Sequence, residues 1–223
     1  MLLLGPSPTW AGPQEDANAA WYRGDYATAL RILRPLAAQG NAGAQHLIGE
    51  MYTDGEGVPQ DYGEAVRWLQ LAAVQGHTAA QLALGGMYER GQGVPRDYVE
   101  AVKWYRLVAA HGSVFAQSSL GAMYEKGQGV AQDYIEAVKW YRLAAVQGVF
   151  LAQLKLGAMY EKGQGVPRDY VRAHMWFNLS AVSGYAEAVK NRDLAAKQMT
   201  PHQIAEAQKM ARDCQSRNFQ GCD

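Results

Sequence analysis

Hydrophobic and polar residues follow a helical period along this chain, and the whole pattern returns every 36 residues. Residues 77–112 and 113–148 are identical at 23 of 36 positions. One tryptophan has a fixed place in the pattern, and its four copies are Trp68, Trp104, Trp140 and Trp176. The spacing therefore predicts four repeat units, at 41–76, 77–112, 113–148 and 149–184.

Each unit is predicted to fold as a first helix, a glycine-containing loop and a second helix. In the first unit these segments read AGAQHLIGEMY, TDGEGVPQ and DYGEAVRWLQLAAVQG. Asp61 stands where an N-cap is needed, and Glu64 three residues later predicts a capping box. Gly76 is placed to take the left-handed conformation that closes a helix. No strand pattern competes, so the sequence predicts an all-α fold.

The first helix has one arc of residues that barely change between units and one arc of residues that do. Ala44, Gln45, Ile48 and Gly49 belong to the fixed arc, which we expect to pack, and on the second helix Leu71 is expected to pack with the tryptophan. The variable arc is expected to face out. Its members, unit by unit, are His46, Leu47 and Glu50; Leu82, Ala83 and Gly86; Ser118, Ser119 and Ala122; and Leu154, Lys155 and Ala158.

The recurring pattern, A-x-x-x-L-G-x-M-Y-x-x-G-x-G-V-P-x-D-Y-x-x-A-x-x-W-Y-x-x-A-A, resembles the Sel-1-like repeat (SLR), a relative of the tetratricopeptide repeat (TPR). The best copy reads AQLALGGMYERGQGVPRDYVEAVKWYRLVAAHG, and the resemblance covers residues 41–184. It implies a right-handed α-solenoid of stacked antiparallel helix pairs, which typically serves as a protein-binding scaffold.

Stacking the first helices is expected to bring the variable positions onto the concave face, so these residues are the candidate binding site for a protein or peptide. Two other interpretations stay open, one for the variable arc and one for the outer face of the second helices. The variable arc could be a merely solvated surface, or a basic stripe on the outer face, at Lys103, Arg106, Lys139 and Arg142, could bind instead.

An enzyme directed at β-lactams or the cell wall is the alternative to a binding scaffold, because some cysteine-rich SLR proteins are linked to β-lactams. The repeats here contain no cysteine, so the resemblance supports that activity only weakly.

The flanking segments are interpreted as end caps. Residues 12–40 lack the G-x-G-V loop and are expected to form a TPR-like capping unit, with its helices joined at Arg23 and Gly24. Residues 185–223 are expected to form capping helices, the last of them beginning at Thr200 with a capping box to Gln203. The apolar start at 1–11 resembles the tail of a secretory signal peptide without its basic region, or is simply an apolar terminus.

Cysteine usage bears on the compartment. Cys214 and Cys222 are the only two cysteines and lie in one short segment. They either form a disulfide that fastens the tail, which would indicate a periplasmic or secreted protein, or remain free thiols in the cytoplasm.

Charge and composition exclude several function classes. With 21 basic and 21 acidic side chains the formal net charge is zero, which does not favour nucleic acid as a partner. The five histidines share no ligand spacing and are expected at surfaces or helix ends, so we expect no metal and no cofactor. The G-x-G loops lack the third glycine and the preceding strand of a nucleotide site. The sequence thus predicts a non-enzymatic scaffold, monomeric and not membrane-spanning.

Overall fold

The computed structural model describes residues 12–222, and every regular element in that range is an α-helix. The predicted signal-peptide segment at 1–11 lies outside the described residues. The chain divides into two compact units, an N-terminal unit of residues 1–97 and a C-terminal unit of residues 98–223.

Within residues 12–97, the N-terminal unit holds five helices, packed in series along the chain. They are α1 (Pro13–Tyr22), α2 (Tyr26–Ala38), α3 (Ala42–Asp54), α4 (Tyr62–Ala73) and α5 (Thr78–Arg90). Gly24, at φ +76°, turns the chain between α1 and α2 where the sequence predicts the first connection.

As far as the structure describes it, to residue 222, the C-terminal unit holds seven helices. They are α6 (Tyr98–Ala110), α7 (Val114–Lys126), α8 (Tyr134–Ala145), α9 (Phe150–Lys162), α10 (Tyr170–Ala181), α11 (Ala186–Ala196) and α12 (Pro201–Ser216). Both α11 and α12 pack against α10, and Cys214 is bonded to Cys222 with a Cα–Cα distance of 5.1 Å. The predicted all-α fold of consecutive helix pairs is confirmed.

A glycine on the first helix lets each helix pair approach closely. A Cβ atom built on Gly49 would lie 2.7 Å from Leu69, one on Gly121 2.6 Å from Tyr141, and one on Gly157 2.7 Å from Phe177. These separations are shorter than any van der Waals contact, so only glycine allows the observed packing. The fixed place of this glycine in the repeat follows from that approach.

The second glycine of the loop lets each repeat pack closely against the backbone of the repeat before it. Gly93 has φ +71°, and an added Cβ atom would come within 2.1 Å of the Tyr62 carbonyl oxygen. Gly165 stands in the same relation to Tyr134, at 2.2 Å. The G-x-G loop is therefore a packing device between repeats, as the sequence indicates.

A buried glutamine at a fixed place satisfies the end of the preceding helix. Gln45 Nε2 donates to the Ala37 carbonyl at 3.1 Å, and Gln153 Nε2 donates to the Ala145 carbonyl at 3.1 Å. The last carbonyls of a helix have no partner within it, so a side-chain donor is needed where the helix end is buried. This explains why a polar residue occupies the fixed, packing arc.

Helix capping follows the sequence only in part. Asp61 accepts from the backbone N–H groups of Gly63 and Glu64 and Thr200 forms the predicted reciprocal box with Gln203. Glu64 instead pairs with Arg67 at 2.5 Å, so the box predicted at Asp61 lacks its second half. A basic residue within one turn competes with the backbone for the carboxylate.

Two burial predictions on the second helices need correction. Leu71, expected in the packing arc, is 48% exposed, and Leu69 takes the buried place at 1%. Trp176 is fully buried, whereas Trp68, Trp104 and Trp140 are only half-buried. A helix period of 3.6 residues moves Leu71 off the apolar stripe within one turn.

Candidate functional site

The variable arc of α3 is less exposed than the sequence predicts. Leu47 is 9% exposed and contributes to the core with Ile48, while His46 and Glu50 are half-buried. The expected outward orientation is therefore wrong for Leu47. Helix α1 packs nearby and supplies Trp21 to the same cluster.

Two imidazole rings meet at this surface. His46 and His77 have ring centroids 4.5 Å apart with planes tilted by 30°, and His46 Nε2 lies 3.4 Å from Glu50 Oε1. Burial, and secondarily the neighbouring His77, lower the pKa of His46 to about 4. Burial also lowers the pKa of His77 and raises the pKa of Glu50. Both rings are therefore neutral at pH 7.

His77 is anchored by its other ring nitrogen. Its Nδ1 accepts from the backbone N–H of Ala80 at 3.3 Å, which makes His77 the N-cap of α5. A neutral imidazole whose Nδ1 accepts carries its proton on Nε2. His77 therefore presents an N–H donor away from its own helix.

A cavity of about 230 Å³ opens beside these rings. It is enclosed by side chains of α1 and α3 together with the cap of α5: Gln14, Asn18, Trp21, Tyr22, Gly43, His46, Leu47 and His77. We call it the His46 cavity. No serine, threonine, cysteine or lysine is among these lining residues of the described chain, so a side-chain nucleophile in the cavity could come only from His46, His77 or Tyr22.

The Glu56 carboxylate accepts a hydrogen bond from one of the residues that line the cavity. Trp21 Nε1 donates to Glu56 Oε2 at 2.6 Å, and Tyr26 OH donates to Glu56 Oε1 at 2.7 Å. Sequence reasoning missed Trp21 and Glu56 as site residues. The available signal was the loop itself, since the first repeat has G-E-G where the other three have G-Q-G.

On α5 the candidate residues Leu82 and Ala83 are half-buried and Gly86 is buried. A Cβ atom on Gly86 would lie 2.9 Å from the Arg90 guanidinium, which covers that position. Arg90 Nε in turn donates to Gln92 Oε1 at 2.6 Å. Gly86 is thus covered by the side chain of Arg90, an exposed residue one turn further along the same helix.

In the C-terminal unit the arc carries different chemistry. Ser118, Ser119, Ala122 and Ala158 are half-buried, and Leu154 is 6% exposed, which again corrects the expected outward orientation. Lys155 Nζ lies 3.2 Å from Glu125 Oε2, which also accepts a 2.7 Å hydrogen bond from Tyr141 OH. Burial and that carboxylate raise the pKa of Tyr141.

The outer basic residues are engaged by neighbours. Lys103 pairs with Glu100, and Lys139 pairs with Glu136 at 2.5 Å. Arg106 Nη2 donates to Tyr124 OH at 2.6 Å, and Arg142 Nη2 donates to Tyr160 OH at 2.9 Å. These arginines therefore help to join consecutive helix pairs, and their charges are only partly available to a partner.

Within residues 12–222 no group of three or more histidine, cysteine, aspartate or glutamate residues is arranged to hold a metal ion. His174 departs from the expected surface role of the histidines, because it is 3% exposed within α10. The part of the chain that the structure describes also contains no helix long and apolar enough to cross a lipid bilayer.

Comparison with known proteins identifies the repeat. The Sel1 repeat family model matches residues 42–77, 78–113, 114–149 and 151–185. No curated protein sequence matches the chain.

Solved structures give the same result. A protective antigen of uropathogenic Escherichia coli with an SLR fold is 34% identical over 86% of this chain, with a TM-score of 0.76. The present chain covers 42% of that antigen's length. A Sel1 repeat protein from Oxalobacter formigenes is 33% identical over 93% of this chain and 75% of its own, with a TM-score of 0.73. A Klebsiella pneumoniae protein, at 21% identity over 82% of this chain and 91% of its own, shares the fold with a TM-score of 0.51.

Proposed function

Because the chain belongs to the Sel1 repeat family, whose fold commonly mediates protein interactions, we propose that it is a non-enzymatic scaffold that binds a protein or peptide through the inner faces of its first helices. The observation that carries the proposal is the contrast within the first helices. Packing fixes Gly49, Gly121 and Gly157, while the positions equivalent to His46, Leu47 and Glu50 change between repeats. Variation at constant fold is what a specificity surface requires.

The inner positions also present several kinds of recognition group. His46 and Glu50 offer polar atoms in the first repeat, Leu82 an apolar contact in the second, and Lys155 a cation in the fourth. An extended peptide that lies along one unit can contact the groups of that unit in succession, with each contact adding specificity. The Cys214–Cys222 bond supports a periplasmic or secreted location as part of the same proposal.

The test is selection of a phage-displayed random peptide library on the purified chain, followed by measurement of each selected peptide against variants. We expect the combined change Glu50→Ala, Leu82→Ala and Lys155→Ala to abolish or strongly weaken binding. We expect the melting temperature to stay within a few degrees, because changes at partly exposed positions usually cost about 0.5 kcal/mol or less each.

The matched control removes charge from the outer face, at Lys103, Arg106, Lys139 and Arg142. It should leave peptide binding unchanged. If this control loses the peptides and the inner variant keeps them, the outer face is the binding site. Turnover of a β-lactam or a muropeptide by the purified chain, lost on changing His46 or Glu50, would contradict a non-enzymatic role.

A further inference from the structure

The two units carry opposite charge although the whole chain is neutral. Residues 1–97 contain ten acidic and six basic side chains, a formal charge of −4, and residues 98–223 contain eleven acidic and fifteen basic ones, a formal charge of +4. The N-terminal unit contains no lysine. A partner segment that contacts the N-terminal unit is therefore favoured when it is basic.

The first repeat has the smallest residue of the four at one position that lines the His46 cavity. Position 43 is glycine, whereas the equivalent positions are Ala79, Phe115 and Leu151. A Cβ atom on Gly43 would lie 3.7 Å from Gln14 Oε1, so any larger side chain extends into the cavity. Its volume of about 230 Å³ is below that of pockets for small-molecule ligands, roughly 300 Å³ and above, and suits a single side chain.

The walls of the cavity combine aromatic faces with a free acceptor. Trp21 and Tyr22 have ring centroids 5.6 Å apart, and Tyr22 is 84% exposed at the rim. Gln14 Nε2 donates to Asn18 Oδ1 at 3.0 Å, and its buried Oε1 atom has no hydrogen-bond partner within the described residues. A buried acceptor without a donor is costly, so a ligand that brings an N–H group is favoured at this place.

Two aromatic rings of the cavity wall, those of Trp21 and His46, each lie beside a carboxylate that favours a bound cation. The Trp21 indole N–H donates to the Glu56 carboxylate at 2.6 Å, which increases electron density on the ring face, and His46 stands 3.4 Å from the Glu50 carboxylate. A cation over an electron-rich aromatic face is attracted by the ring quadrupole. Because the pKa of His46 is lowered to about 4, its imidazole adds no competing positive charge at pH 7.

We propose that the His46 cavity is a subsite for an arginine side chain of the bound peptide, with the guanidinium stacked on Trp21 and donating to Gln14 Oε1. Arginine fits better than lysine because its guanidinium is planar, weakly hydrated and carries several N–H donors in a fixed plane. This inference rests on the proposed function and names the chemistry of one residue of the partner.

The test is an NMR titration of the full-length, isotope-labelled chain with the probe acetyl-Gly-Ala-Arg-Ala-Gly-amide. The same peptide with citrulline, a neutral isostere of arginine, and the same peptide with lysine are titrated in parallel. We expect saturable shifts at the Trp21 indole N–H and at the His46 and His77 rings. Citrulline should bind about tenfold more weakly than arginine, and lysine should lie between them.

Matched variants locate the binding. Gly43→Leu fills the cavity with the residue that stands at the same place in the fourth repeat, so the fold should be retained and binding lost. Ala79→Leu makes the same change at the exposed equivalent position of the second repeat and should leave binding unchanged. Glu50→Gln should weaken binding severalfold, whereas Glu64→Gln, which removes an acid paired with Arg67, should not.

Equal affinity of the arginine and citrulline peptides, the absence of saturable shifts, or unchanged binding in a folded Gly43→Leu variant would each overturn the arginine subsite. Stronger binding of the lysine peptide would overturn the choice of arginine. If peptides selected from the library are lost in the Glu50, Leu82 and Lys155 variant but kept in Gly43→Leu, the scaffold proposal stands and only the subsite fails. If neither variant changes their binding, the inner-face proposal fails as well.

Discussion

The N-terminal and C-terminal units share the same repeat, but the helices that flank the repeats differ between them. In the N-terminal unit the short helix α1 packs beside α3 and leaves the His46 cavity between them. In the C-terminal unit two helices follow the last repeat, and the core there includes Trp176, Phe177 and the Cys214–Cys222 bond. The C-terminal unit thus closes its last repeat with an apolar core and a disulfide, whereas the N-terminal unit leaves a cavity lined by buried polar groups.

The largest expected effect concerns the C-terminal core. Trp176→Ala should reduce the free energy of unfolding by about 3 to 5 kcal/mol, because the side chain is fully buried and its removal leaves a large cavity. Trp68→Ala, at the same repeat position in the N-terminal unit, should cost clearly less because Trp68 is half-buried. Urea unfolding measures both. A loss below about 1 kcal/mol for Trp176→Ala, or equal losses for the two variants, would remove the contrast between the units.

The next effect concerns the disulfide. Replacing Cys214 and Cys222 together by serine should cost about 2.5 kcal/mol, the loop-closure entropy for so short a ring. The loss should be seen by urea unfolding and should match that of the reduced wild-type protein. Hydrogen exchange should show the lost protection in α11 and α12. Two thiols that alkylate freely in protein from its native compartment would contradict the bond and the export that it supports.

A smaller change in the free energy of unfolding is expected from the titration of His46 in the N-terminal unit. In the unfolded chain His46 takes up a proton near pH 6.5, but in the folded chain only near pH 4. Between these values the unfolded state binds more protons, so stability should fall as the pH falls. Because the ring is partly solvated we expect a loss of about 1 to 2 kcal/mol between pH 7 and 4.5.

Urea unfolding of the wild type and of His46→Gln at both pH values measures this loss. The variant should lose less stability on acidification than the wild type. His202→Gln, at an exposed position of the C-terminal unit, is the control and should keep the wild-type dependence. Identical pH dependence in the wild type and His46→Gln would show that the ring is not buried in solution.

Most of the fold could be predicted from the sequence because the same helix pair occurs several times in one chain and its copies can be compared. Comparison of the four copies distinguishes the position of Gly49, which is constant because that residue approaches Leu69 closely, from positions that vary. The burial of Leu47 and Leu154 could not be predicted from variation alone. A position can vary and still be buried when the neighbouring helix differs between repeats, as α1 does beside Leu47.

The candidate site was predictable in its location more than in its chemistry. His46 and Glu50 were identified by their place on the helix, but Trp21, Gln14 and Glu56 come from α1 and a loop. Their contribution depends on tertiary packing between segments that are 35 residues apart, as Trp21 and Glu56 are. Only the replacement of glutamine by Glu56 in the first G-x-G loop gave a local signal.

Binding through the inner faces of the first helices is tested by site-specific photo-crosslinking in extract from the native compartment. A benzophenone side chain is placed either at the inner positions Leu82 and Ser119 or at the outer positions Lys103 and Lys139, one position in each protein. We expect a crosslinked partner from the inner positions, lost on competition with excess unlabelled chain, and none from the outer positions. Crosslinks only from the outer positions, or equal crosslinking from both sets, would contradict binding through the inner faces of the first helices.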